Sequence, residues 1–186
     1  MKRVFLAILS SSLFVDVAPR ADTLVIRRDP VNYDCSLTIA EPGPFSLYVV
    51  HIFNSGSTAS HWWIDDSSGI MRTGVTLNAA YLSLGDPYAD VQVAYGGCVL
   101  GDHVLFRLDY LASVDDVTAP CSQVRIRPAP TSGIPGELAV LDCNLNFESA
   151  NTAPFAINGP TDPFECECPP LGTEPSTWGK VKSLYR

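Results

Sequence analysis

The chain has 186 residues, 46% of them hydrophobic, with 12 Lys+Arg against 20 Asp+Glu, 6 cysteines, 15 prolines and 13 glycines. That length implies one domain, and the apolar fraction is enough to bury a core, which argues against disorder. A net charge of -8 argues against nucleic acid as a partner, because phosphate binding needs clustered Lys and Arg.

The N-terminus reads Met1-Lys2-Arg3, followed by an apolar run from Val4 to Val15. A short basic start before such a run is the layout of a secretory signal peptide, expected here over residues 1–21 with cleavage after Ala21. The alternative is a first core element of the mature protein. The run falls short of the roughly 20 residues that span a bilayer, so no stable membrane span is expected. After cleavage, 9 basic and 19 acidic residues remain. Three of the nine basic residues, Lys180, Lys182 and Arg186, sit at the C-terminus.

From there the chain alternates short apolar runs with turn residues. Strands are expected at 23–28, 45–53, 60–65, 91–95, 103–111, 123–127 and 137–143, with a shorter one at 155–158. In 104–111, Phe106, Leu108 and Tyr110 alternate with Leu105, Arg107 and Asp109, as on a strand with one core face. Turn signals stand at Asn54-Ser55-Gly56, Gly96-Gly97 and Gly101-Asp102. Residues 66–90 look least regular, a long connection with some strand at 74–77. This pattern implies an all-β fold, an antiparallel two-sheet β-sandwich resembling immunoglobulin-like folds, over residues 22–168.

Residues 169–175 are Pro-rich and read as an extended linker. In the last segment, 176–186, Trp178, Val181, Leu184 and Tyr185 share one face if the segment is helical. It is too short to be a stable helix alone, so it docks on its own domain, binds a partner or stays mobile.

Cys35, Cys98, Cys121, Cys143, Cys166 and Cys168 form an even set, expected as disulfides in an exported chain. Cys166-Glu167-Cys168 has the wrong spacing for a zinc knuckle. The favoured pairing joins Cys98 to Cys121 and leaves Cys143 and Cys35 for the two C-terminal cysteines.

No Gly-x-Ser-x-Gly occurs, and His51, His61 and His103 have no evident catalytic partners, so no enzyme and no cofactor are expected. Asp65-Asp66 and Asp115-Asp116 are read as solvated turn acids rather than calcium ligands, which come as larger oxygen sets. His61-Trp62-Trp63 is the most unusual local feature. On a strand the two tryptophans point to opposite faces, one into the core and the other exposed or covered by the 66–90 connection.

The tail Thr177-Trp178-Gly179-x-Val181-Lys182-x-Leu184-Tyr185-Arg186 resembles the ending of a loose group of uncharacterised secreted bacterial proteins. In the body, Leu47-Tyr48-Val49-Val50-His51, Gly56-x-Thr58-Ala59-Ser60 and Ala94-Tyr95-Gly96-x-Cys98 resemble the same group. The resemblance implies export and a sandwich-like body, and no activity. The chain is therefore expected to be an exported, non-enzymatic structural or binding protein, secreted, periplasmic or on the cell surface. Its tail is the candidate sorting, anchoring or subunit-contact element toward a protein or cell-surface partner. The alternatives are a glycan-binding module using Trp62 or Trp63 with Tyr81 or Tyr88, and an extracellular filament subunit.

Overall fold

The computed structural model describes residues 22–159 and 166–168. The expected leader (1–21), linker (169–175) and tail (176–186) lie outside the described residues. Within them the strands are β1 (Thr23–Arg27), β2 (Ser36–Leu37), β3 (Gly43–Asp66), β4 (Met71–Leu77) and β5 (Leu82–Asp86). After these come β6 (Asp90–Ala112), β7 (Ser122–Pro128), β8 (Leu138–Asp142), β9 (Phe147–Ala153) and β10 (Phe155–Ile157). One short helix, α1 (Val114–Val117), follows β6.

A single ribbon organises the fold. β3 and β6 pair antiparallel from Gly43 opposite Ala112 to Trp62 opposite Val91. Their ladder slips at Val49/Val50, Phe53/Ser57 and Ser57/Ala59. Such irregularities bend and twist a strand pair, and here they fold the ribbon over on itself. Trp62 of the second half of β3 stands edge-on to Phe106, whose partner in register is Val49 of the first half, with ring centroids 5.6 Å apart. The Tyr110 hydroxyl donates to Asp66 Oδ2 at 3.0 Å across the same gap. The first half of the ribbon carries β1 on one side and β4 on the other. The second half carries β8 and then β7 on one side, and β5 on the other.

Alternation places the core between these layers. Trp62, Ile64, Val91, Val93, Phe106, Leu108 and Tyr110 are buried, as are Leu47, Val124, Ile126 and Phe155. Phe106, Leu108 and Tyr110 form the core face as expected. Leu105, expected on the wetter face, is buried as well, next to the Val49/Val50 slip where the pleat loses its period.

The all-β, disulfide-bonded sandwich-like body agrees with expectation, but the strict antiparallel two-sheet arrangement needs correction. β1 pairs with both β3 and β9, and β9 with β8, so the ladder closes on itself. The β1–β9 and β10–β2 pairs are parallel. The reason is the ribbon: β3 and β6 pass from one layer to the other without breaking their pairing. For the same reason 45–53 and 60–65 are one strand, and 91–95 and 103–111 another. The turn signals between them mark the bend. Gly56 sits there at φ +94°, and a Cβ on it would meet Cys143 Sγ at 2.7 Å and Cys98 Sγ at 3.2 Å. Only glycine suits both the dihedral and the space.

Those two sulfurs are bonded. The disulfides are Cys35–Cys166, Cys98–Cys143 and Cys121–Cys168. Cys35 takes one of the C-terminal cysteines as expected, whereas two expectations are corrected: Cys98 bonds Cys143 rather than Cys121, and Cys121 rather than Cys143 takes the other C-terminal cysteine. Cys98 and Cys143 each flank Ser57 at the bend of β3, through Val99 and Asp142 in register with it. Cys121 instead precedes β7, whose first residue Ser122 pairs with Ile157 on β10.

Candidate functional site

Cross-strand register builds a continuous outer face on the second layer. Leu82 of β5 lies opposite Ala94 of β6, Ala94 opposite Ala59 of β3, Ala59 opposite Leu141 of β8, and Leu141 opposite Phe147 of β9. The next row of the same face runs Leu84, Gln92, His61, Ala139 and Ser149. Small residues therefore form the floor, and large apolar ones stand at the two ends. Leu82 is 78% exposed, Leu84 74% and Phe147 57%. Single exposed leucines need no explanation, but an apolar row crossing five strands is the kind of feature that marks a contact surface. Trp63, half-buried, points to this side of β3 between His61 and Asp65.

A cleft of about 230 Å³ opens in this face, lined by His61, Gln92, Thr131, Gly133, Leu141 and Phe147 among others. A Cβ on Gly133 would lie 2.6 Å from the Phe147 ring, so the ring rests directly on that glycine. At the rim, His61 Nε2 is 2.5 Å from Asp90 Oδ1, and Thr131 Oγ1 donates to Asp90 Oδ2 at 2.6 Å. The Thr131 hydroxyl and then His61 hold the Asp90 carboxyl below its ordinary range, because both interactions favour the ionised form. This trio is not a nucleophile relay. A relay needs the histidine between acid and hydroxyl, and here histidine and hydroxyl both turn to the same carboxylate.

Beneath the face lies a buried polar chain. Trp62 Nε1 donates to Ser60 Oγ at 3.0 Å, and Tyr95 OH donates to the same oxygen at 2.7 Å. His51 Nδ1 is 2.6 Å from Tyr95 OH, and its Nε2 faces Asp22 Oδ2 at 3.7 Å. Ser57 Oγ donates to Asp22 as well. Burial is the main cause that takes His51 down to about 3; the Asp22 carboxylate pulls it up and His103 pushes it down. Burial likewise raises the Tyr95 phenol.

A pH dependence follows. The folded value lies below the ordinary 6.5 of an unfolded histidine. Above pH 6.5 neither state binds this proton and stability is complete. As the pH falls below 6.5 the unfolded chain binds a proton that the folded protein refuses. Stability then drops by up to about 1.4 kcal/mol per pH unit until the folded value is reached. Urea unfolding between pH 6.5 and 5, before most carboxylates titrate, should show this slope in the natural chain and lose it in His51→Gln. Equal slopes in both would contradict it.

The structure sorts the residues singled out in the sequence. Trp62 is wholly buried, and so cannot act as a ligand platform; Tyr81 is 8% exposed. Both are corrected as glycan contacts, since their rings serve the core. Trp63 lies on the outer face. Tyr88 is half-buried, with the Arg72 guanidinium 4.1 Å from its ring centroid. Trp178, Val181, Leu184 and Tyr185 lie outside the described residues. Asp65 pairs with Arg127 at 3.2 Å, Asp66 accepts from Ser68 and Tyr110, and Asp116 accepts from Ser113 at the start of α1. No group of three or more His, Cys, Asp or Glu able to hold a metal occurs among the described residues, nor does any helix long and apolar enough to cross a membrane. Leu82, Leu84 and Phe147 were missed. Leu82-Ser83-Leu84 does alternate, a weak strand signal inside a segment read as a connection.

No protein-family model matches the chain. No curated protein matches it either. Solved structures do. A cohesin module from a family 33 glycoside hydrolase of Clostridium perfringens is 9% identical, covers 75% of this chain and 98% of its own, and superposes with a TM-score of 0.52. The sixth cohesin of scaffoldin B from Acetivibrio cellulolyticus, solved with a Cel5 dockerin, is 12% identical, covering 74% of this chain and 98% of its own at 0.49. A non-cellulosomal cohesin from Archaeoglobus fulgidus is 10% identical, covering 74% and 89% at 0.48. The first of these, at 9% identity and a TM-score of 0.52, shows a likeness of fold alone, that of a β-sandwich module.

Proposed function

We propose that this protein is an exported, non-enzymatic binding or structural module of the cell exterior that seats a protein partner on the outer face of β5, β6, β3, β8 and β9. The observation that carries this reading is the apolar row ending in exposed Leu82, Leu84 and Phe147. Three disulfides support an oxidising compartment. The cohesin likeness supports the fold on which the face is built and carries no partner over to this chain. The segment 176–186, with Trp178, Val181, Leu184 and Tyr185, is the candidate sorting, anchoring or subunit-contact element.

Leu82→Asp with Leu84→Asp puts two charges at the end of the row without touching the core. Size exclusion of the protein recovered from its producing cells should show the natural chain in a larger complex and the variant without it, at unchanged thermal stability. A variant that keeps the complex would refute the face. Deleting 176–186 should alter secretion or surface retention; unchanged localisation and assembly would refute the role given to that segment.

A further inference from the structure

We propose that the cleft in the outer face binds one neutral sugar ring of a glycan. This goes beyond the reading of the face as a protein contact and does not depend on it.

The strands set the dimensions of the cleft. Ala59 of β3 and Ala139 of β8 form its floor. Phe147 of β9 stands on one side, and His61 of β3 with Gln92 of β6 on the other. β8 pairs with both β9 and β3, so these two walls rise from strands about 10 Å apart, two strand spacings. The third wall is the loop 129–137. Gly133 supports the Phe147 ring and Thr131 donates to Asp90, so the loop is fixed at both sides of the cleft. Ser132 N donates to Ala129 O at 3.0 Å and Ser132 Oγ to Glu137 O at 3.1 Å, which closes the loop on itself. A site built in advance in this way loses little freedom on binding. Its volume of about 230 Å³ is below the roughly 300–1,000 Å³ of pockets for drug-sized ligands, and suits a single six-membered ring.

The lining joins an exposed aromatic ring to open hydrogen-bonding groups. Phe147 rests on Gly133 and is otherwise exposed. The negative face of such a ring suits the slightly positive C–H groups of a sugar. The Gln92 side-chain amide is exposed and makes no hydrogen bond among the described residues; the same holds for His61 Nδ1. An apolar side chain of a protein partner would leave these groups unpaired, whereas hydroxyls both donate and accept. Charge narrows the class further. No lysine or arginine lines the cleft, and the Asp90 carboxylate stands at its rim. Arg127 shares the row of Trp63 and pairs with Asp65 at 3.2 Å. A phosphate or carboxylate ligand would thus meet a like charge with no lysine or arginine to offset it. Trp62 and Tyr81 take no part, since their rings lie in the core.

NMR titration of the 15N-labelled full chain with the methyl glycosides of glucose, galactose, mannose and N-acetylglucosamine tests this. The Gln92 side-chain amide and the backbone amides of Gly133 and Phe147 should shift together for at least one of them. A dissociation constant of about 1 mM is expected for a ligand of this size. Phe147→Ala should weaken that binding about tenfold and Gln92→Ala about fivefold, through the lost stacking and the lost hydrogen bond. Both side chains are exposed, so thermal stability should hold. Leu82→Asp with Leu84→Asp should bind the sugar as the natural chain does, because neither leucine lines the cleft. Methyl glucuronide, a similar ring carrying a carboxylate, should leave all three signals in place. No joint shift with any of the neutral glycosides would overturn the sugar site, and the protein-contact reading would still stand or fall by the complex lost in Leu82→Asp with Leu84→Asp. Shifts that survive Phe147→Ala at equal affinity, or equal binding of the glucuronide, would overturn the site as well.

Discussion

Replacing Trp62 by alanine is expected to lower the unfolding free energy by about 3–5 kcal/mol, the range for removing a large buried aromatic side chain. Trp62 is 0% exposed and stands between the two folded halves of the β3–β6 ribbon, edge-on to Phe106. Its indole N–H also donates to Ser60 Oγ, which Tyr95 shares. The variant thus opens a cavity and removes a donor from a buried polar chain. A chain of this size should melt about 6–20 °C lower. Trp63→Ala should cost much less, because Trp63 points outward from the same strand. Thermal unfolding of the two variants side by side decides the point, and similar losses would contradict the assigned faces.

Removing the Cys35–Cys166 bond through Cys35→Ser with Cys166→Ser should cost up to about 5 kcal/mol. Its sequence separation of 131 is the largest of the three, and loop-closure entropy grows with separation. The bond also secures a thin part of the fold. β2 has two residues and, among the described residues, pairs only with β10, and Cys35 O accepts from Ala156 N at 2.9 Å. Without the bond, hydrogen exchange at Ala156 and Ile157 should speed up before exchange in β3 and β6. For Cys98–Cys143, at a separation of 45, the same estimate gives about 4 kcal/mol. Denaturant unfolding of the double-serine variant checks this, and a loss under about 1 kcal/mol would contradict it.

Much of the fold could be read from residue order. The alternating Ser122–Pro128 and the continuous apolar run of Leu138–Asp142 both stand where the sequence pattern places strands. The two longest strands each look divided in the sequence, because Asn54-Ser55-Gly56 and Gly96-Gly97 resemble turns. They are bends in a ladder that keeps pairing through them, and turn chemistry alone does not separate a bend from a reversal. β9 was missed because Phe147–Ala153 buries only Ala150 and shows no apolar period. Closure of the ladder depends on that strand, through its parallel pairing with β1. The site was legible only in part. Trp63 was singled out by its neighbour Trp62, and strand alternation separates their faces once register is known. Leu82 and Phe147 share a row only through β6, β3 and β8, a relation between residues 65 apart that local pattern does not carry.

On the proposed reading, the outer face of β5, β6, β3, β8 and β9 is a contact surface. Amide hydrogen exchange on the full chain, with and without Leu82→Asp and Leu84→Asp, measures it directly on protein taken from its producing cells. Protection along Leu82–Asp86 beyond that of Met71–Leu77, an edge strand on the other layer, is the expected result, lost in the variant. Equal exchange in the two strands, unchanged by the substitutions, would contradict it.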